Sequence, residues 1–210
     1  MKPSAKGNSW VRKVAVIGIV ASALVPTNNA NADSSPKAAT GEWYAYMPLA
    51  HTWYPKTPTN ASSPTASPSP GSAGRLLDPI TIGACDIGLH GTLVASFLSK
   101  YDGRVSLKCG STDVGYIHIR TKHQSQWDAF AAGNGYWDDF MLWSAESIVL
   151  HPESSHLDSD MKRCYTAPVK TYFKKDGINH LLKSFSPTVI VSTNNRVMIT
   201  AYPSKTSRCR

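Results

Sequence analysis

Apolar side chains recur with a helical period through the middle of the chain. Tyr116, Ile119, His123, Trp127 and Phe130 form one stripe on a helical wheel, with Arg120 at its edge. His118 and Lys122 fall together, roughly 140° from the His123 direction at about 100° per residue. Read as a strand, the same stretch would put Tyr116, His118, Arg120 and Lys122 on one face. The reach of the stripe to Phe130 favours the helix. A second helix is predicted across Trp137 to Val149, stopped by His151-Pro152. Leu89, Leu93, Phe97, Leu98 and Tyr101 also repeat at helical spacing, which predicts an amphipathic helix over about 86–101, broken by Asp102-Gly103. Val105 to Cys109 alternates as a strand does, and Gly110-Ser111-Thr112-Asp113 is a turn with several candidate helix caps.

Beyond a polar loop expected from Glu153 to Asp160, the pattern becomes that of strands. Tyr165 to Phe173 is a strand region in which Pro168 marks an edge or a bulge. Thr188 to Ser192 is a strong strand, Thr193-Asn194-Asn195 a turn, and Val197 to Tyr202 its partner. Regular alternation would face Val197, Ile199 and Ala201 one way and Met198, Thr200 and Tyr202 the other. Helices followed by an antiparallel sheet give an α+β fold, with the helices packed on that sheet.

The N-terminal third has a different character. Lys2, Lys6, Arg12 and Lys13 precede an apolar run of twelve residues, Val14 to Val25, and Ala30-Asn31-Ala32 offers a small-residue cleavage site. Residues 1–32 therefore read as a signal peptide, because a bilayer span takes about 20 apolar residues. No later segment is long and apolar enough to cross a membrane, so the expected product is secreted. Residues 33–74 read as a linker, almost wholly Pro, Ser, Thr, Ala and Gly from Pro55 to Gly74. Ahead of that stretch lies an aromatic island, Trp43-Tyr44-Ala45-Tyr46 and His51-Thr52-Trp53-Tyr54. It either packs back onto the domain or docks a partner, and packing back is the expectation, since exposed aromatic clusters usually find cover. Residues 75–210 have the composition of one globular domain.

Export gives the cysteines a meaning. Cys85, Cys109, Cys164 and Cys209 are four, with no C-x-x-C pair among them, and two disulfides are expected in an oxidising compartment. Sequence leaves three connectivities open; the preferred one joins Cys85 to Cys109 and Cys164 to Cys209. The precursor has 22 basic and 14 acidic side chains, and losing residues 1–32 leaves 18 against 14. That mild basicity suits a polyanionic substrate and equally suits an ordinary solvated surface.

The chemistry the residues could carry is metal-independent phosphodiester cleavage. RNA can be cut by its own 2′-hydroxyl if a base removes that proton, a cation steadies the phosphorane and an acid protonates the leaving oxygen. Histidine serves either proton transfer near neutral pH, and Arg or Lys serves the phosphate. His123, Arg120, Thr200 and Tyr202 converge if the helix stripe packs on the polar face of the last strand. His118 and Lys122 join them only if the segment is not a regular helix or if its other face borders the cleft. Each residue also has a plain structural role open to it: His123 as a core histidine, His118 and Lys122 on a solvated face, Thr200 and Tyr202 as β-formers. No G-x-S-x-G and no Gly-rich phosphate loop is present. A zinc site lacks H-x-x-x-H with a neighbouring Glu.

Val105-Ser-Leu-Lys-Cys-Gly110, Gly115-Tyr-Ile-His-Ile119 with His123, Val189 to Ser192 and Ile199-Thr-Ala-Tyr-Pro203 together resemble the barnase/EndoU/colicin E5–D/RelE-like (BECR) toxin domains. These are small α+β ribonucleases of bacterial conflict systems and of secreted actinobacterial proteins. The resemblance implies His123 as acid/base, Arg120 or Lys122 as the cation, and Thr200 and Tyr202 as further contacts to the phosphate. It implies a monomer that needs no cofactor, takes RNA as substrate and leaves a 2′,3′-cyclic phosphate. A producing cell would then need an immunity protein, expected to be acidic because complementary charge speeds capture. The rival expectations are a non-catalytic secreted binding or inhibitor module on the same scaffold and a metal-dependent hydrolase.

Overall fold

The computed structural model describes residues 41–55 and 76–209. The expected signal peptide and the linker beyond Pro55 lie outside the described residues. In chain order the elements are β1 (Glu42–Met47), β2 (Thr52–Tyr54), α1 (Pro79–Asp86), β3 (Leu93–Ser99), β4 (Gly103–Lys108), α2 (Tyr116–Ala131) and α3 (Trp137–Leu150). Strands β5 (Ser154–Leu157), β6 (Lys162–Thr166), β7 (Val169–Lys175), β8 (Ile178–Phe185), β9 (Thr188–Ser192) and β10 (Val197–Tyr202) follow. They form a four-stranded sheet in the order β2-β1-β7-β8 and a six-stranded sheet in the order β3-β4-β10-β9-β6-β5. The fold is α+β.

Helix α3 lies at the centre. It has no solvent face: Trp137 to Val149 are buried except Glu146, the carboxylates of Asp138 and Asp139 included. Towards the four-stranded sheet, Phe140 meets Trp43 edge-on at 5.6 Å between centroids, Tyr54 at 5.3 Å and Phe185 at 6.2 Å. Towards the six-stranded sheet it contacts β3, β6, β9 and β10. Trp127, from α2, is wholly buried, packs edge-on against Phe140 at 5.9 Å, and donates Nε1–H to the Ala201 carbonyl at 3.1 Å. Truncating such a residue to alanine costs about 3–5 kcal/mol.

The two disulfides are Cys85–Cys109 and Cys164–Cys209. The first ties the last turn of α1 to the residue after β4. The second ties the tail beyond β10 to β6. Each cross-link contributes about 3–4 kcal/mol by restricting the unfolded chain.

Several expectations are corrected. Residues 86–101 are not a helix: α1 ends at Asp86, Gly88 takes φ +83°, and β3 begins at Leu93. Gly88 in left-handed backbone ends the helix; Leu93, 53% exposed, and Phe97, 6% exposed, then lie on opposite strand faces, because the ladder with β4 is irregular between Leu93 and Ala95. Glu153 to Asp160 is not all loop, because Ser154–Leu157 pairs with β6. Tyr165 to Phe173 spans two strands in different sheets, and Pro168, lacking an N–H, sits at the switch between them. The helices do not all precede the sheet. Strands β3 and β4 come first, and because α2 and α3 lie on the crossover from β4, β10 returns parallel to β4 while its other neighbour, β9, is antiparallel. The regular alternation expected in β10 is also broken: a bulge between Met198 and Thr200 leaves both Met198 and Ala201 buried.

The aromatic island does pack back. Strand β1 pairs along β7, Trp43 and Tyr54 enter the core, and this segment belongs to the same compact unit as the rest of the described chain. No helix among the described residues is long and apolar enough to cross a membrane.

Candidate functional site

Helix α2 runs sixteen residues without a proline or an internal glycine, so the histidine-bearing segment is a regular helix. Tyr116, Ile119, Trp127 and Ala131 are its buried positions, and His123 lies half-buried on the same stripe. Tyr202, on β10, reaches its ring, with centroids 5.2 Å apart and planes tilted by 34°. His118 comes to the same place. Although the wheel sets the two residues apart in direction, the rings meet edge-to-face at 5.5 Å. His118, expected beside His123 only if the segment were not a regular helix or if its other face bordered the cleft, reaches it from a regular helix, and the imidazoles lean together across the helix surface.

Each imidazole uses one nitrogen and leaves the other. His118 Nδ1 donates to the Thr112 carbonyl at 2.8 Å, since a carbonyl can only accept. His123 Nδ1 donates to Gln126 Oε1 at 3.1 Å. Both rings are thus held as Nδ1–H tautomers, with Nε2 as the proton-exchanging atom. Burial lowers the pKa of His123 below its ordinary value, as do the neighbouring His118 and the Lys122 charge, against an upward pull from Gln126. His123 thus favours its neutral form more than a free imidazole does.

The loop under His118 is fixed from several directions. His90 donates Nδ1–H to the Gly110 carbonyl at 2.5 Å and accepts from Gly110 N–H at its own carbonyl at 2.9 Å. Ser111 N–H donates to the Val114 carbonyl at 2.7 Å, and the Cys109 carbonyl receives Ile117 N–H at 2.9 Å. Gly110 (φ +68°) and Gly115 (φ +83°) are in left-handed backbone, where a Cβ at Gly110 would run into the Val114 carbonyl and one at Gly115 would come within 2.7 Å of the Lys108 carbonyl. Gly115 N–H donates to the Ile199 carbonyl at 2.9 Å, fastening the start of α2 to β10.

The other expected site residues divide. Lys122 is exposed next to His123, on the solvent side of the cluster. Arg120 is drawn away: its guanidinium pairs with Asp86, at the end of α1, at 2.6 Å, and lies over the Tyr116 ring at 5.6 Å. Asp86 is adjacent to Cys85, so the first disulfide holds Arg120's partner in place. The Thr200 hydroxyl is buried without a hydrogen-bond partner among the described residues, so no hydrogen bond ties it to the imidazoles. Gln126 was legible as an i+3 neighbour of His123. The Thr112 carbonyl, which orients His118, belongs to the backbone and leaves no sequence signal.

Among the described residues no three or more His, Cys, Asp or Glu side chains are grouped to hold a metal ion. The arrangement offers two imidazoles, each with Nδ1 engaged, a phenol against one of them and a lysine beside them. Such a set can pass protons to and from a polar substrate at the surface. Comparison with family models, with curated proteins and with solved structures returned no match.

Proposed function

We propose that this chain is a secreted, BECR-like endoribonuclease that cleaves RNA by 2′-hydroxyl transesterification and leaves a 2′,3′-cyclic phosphate. The observation that carries the reading is the pair of imidazoles 5.5 Å apart, each with Nδ1 engaged and one of them with its pKa lowered. His123 Nε2 removes the 2′-hydroxyl proton, and protonated His118 Nε2 returns one to the leaving 5′-oxygen. Lys122 meets the phosphate charge, and the Tyr202 hydroxyl supplies a hydrogen bond next to His123. Arg120 positions the start of α2 through Asp86. As a toxin, the enzyme would be restrained in its producing cell by an acidic immunity protein covering Lys122 and the histidines.

End-labelled RNA incubated with the oxidised protein in excess EDTA tests the proposal. Fragments ending in cyclic phosphate, absent with His123→Ala, are expected. A folded protein that cuts neither total RNA nor tRNA overturns the enzyme reading in favour of a binding module, and cutting lost on chelation overturns it in favour of a metal-dependent hydrolase.

A further inference from the structure

The four-stranded sheet turns one face to α3 and the other outward. Along β1 the buried Trp43, Ala45 and Met47 alternate with Tyr44 and Tyr46, and along β7 the buried Val169 and Thr171 alternate with Lys170 and Tyr172. Tyr44, Tyr46, Trp53 and Tyr172 therefore gather on the outer face, and Trp53 is 49% exposed. The rings face one another in pairs. Tyr46 stacks on Trp53 at 4.2 Å and Tyr44 on Tyr172 at 5.2 Å, while Tyr44 meets Trp53 edge-on at 62°. Register places Lys170 opposite Tyr46, Tyr172 opposite Tyr44, and Lys174 opposite Glu42. The Tyr46 hydroxyl lies 3.2 Å from His51 Nδ1.

We propose that this outer face binds single-stranded nucleic acid, with bases layered on the open ends of the ring stacks and phosphates against Lys170 and Lys174. The proposal rests on the RNA reading above and gives that substrate a second point of contact. Stacked pairs leave ring faces open only at their ends, where another flat ring adds as a further layer. A pyranose is not flat and gains most from rings lying coplanar in a row, which the 62° and 30° angles rule out here. The lysines complete the case. On β7 they flank Tyr172 two residues to either side, so cations and ring lie on the same face of one strand. Glu42 offsets Lys174 and leaves Lys170 as the stronger phosphate partner. Aromatic rings interleaved with cations are the shared chemistry of sequence-tolerant single-strand binding.

A labelled oligothymidylate, which lacks the 2′-hydroxyl and cannot be cut, separates this face from the histidines. Its affinity for the oxidised protein should fall about 10-fold with Trp53→Ala. Lys170→Glu should weaken binding and flatten its dependence on salt. Unchanged affinity in both Trp53→Ala and Lys170→Glu overturns the proposal, as does retention on an insoluble glycan with no oligonucleotide binding. The two readings fail separately. If the parent protein cuts no RNA but loses oligonucleotide with these variants, only the catalytic reading falls. If His123→Ala abolishes cutting and the variants bind as the parent does, only this one falls.

Discussion

Two polar clusters in this protein use similar side chains to opposite ends. One is closed. Asp102 receives Arg163 Nε–H at 3.1 Å and the Tyr165 hydroxyl on its two oxygens. Ser99 Oγ lies 2.7 Å from the same hydroxyl and accepts Asp102 N–H at 3.0 Å. Tyr101 stacks over Tyr165 and beneath the Arg163 guanidinium. Burial and the Asp102 carboxylate raise the Tyr165 pKa far above the ordinary phenol range. The charges of Asp102 and Arg163 meet, and the network closes the β3–β4 turn onto β6. The other cluster, His118, His123 and Tyr202, is open: each imidazole commits one nitrogen and presents the second. A satisfied network specifies structure, whereas one with a proton-exchanging atom left over at a half-buried surface can do chemistry.

The contrast is broken or sharpened by exchanging the readouts. His123→Ala should lower RNA cleavage by about 10³-fold, equivalent to about 4 kcal/mol of transition-state stabilisation, with the urea midpoint nearly unmoved. Asp102→Ala should do the reverse. It leaves the Arg163 charge mostly buried without its partner, and unfolding in urea should show a loss of about 3 kcal/mol or more while cleavage per folded molecule is retained. If Asp102→Ala instead abolished cleavage in a stable protein, the division between the clusters would be wrong.

Smaller effects test the edges. Arg120→Ala removes a largely solvated ion pair with Asp86, whose side chains are 30% and 52% exposed, so stability should drop by only about 0.5–1 kcal/mol. Cleavage should fall far less than with His123→Ala, because Arg120 acts only through its pair with Asp86. A loss as deep as that of His123→Ala would return Arg120 to the site. In a pH–rate profile of kcat/KM the acidic limb should lie below 6.5, the ordinary histidine value, because His123 is depressed by burial. Stability carries the same sign: the unfolded chain takes up the proton first, so the protein weakens as pH falls from 6.5 through the depressed value.

What the sequence made legible was whatever burial had imprinted on it. The helices α2 and α3 and the β9–β10 hairpin announce themselves because each has apolar positions at one clear period and a marked stop. Strand β8 left no such trace: it is exposed from Ile178 to Ser184, and only Phe185 is buried. Leu93 to Ser99 was misread because Leu93, Phe97 and Leu98 repeat at helical spacing although only Phe97 is buried, and the glycines ahead of them were the better guide. At the site, the stripe containing His123 and its approach to Tyr202 could be read. The diversion of Arg120 could not, since it depends on where a disulfide sets Asp86. The meeting of His118 with His123 was hidden as well, because a wheel records Cα directions and not the reach of an imidazole.

The bulge in β10 makes a joint out of a surplus residue. Met198 pairs with Val191 and Thr200 with Ile190, so Ile199 is extra to the ladder with β9. Its carbonyl is the one that holds Gly115, three residues before His118. Deleting Ile199 would leave every other β9–β10 pair in register and still unfasten the first turn of α2. The start of the histidine-bearing helix is thus hung on a peptide unit that the hairpin itself does not use, while the Trp127–Ala201 bond and the His123–Tyr202 contact hold the helix further along.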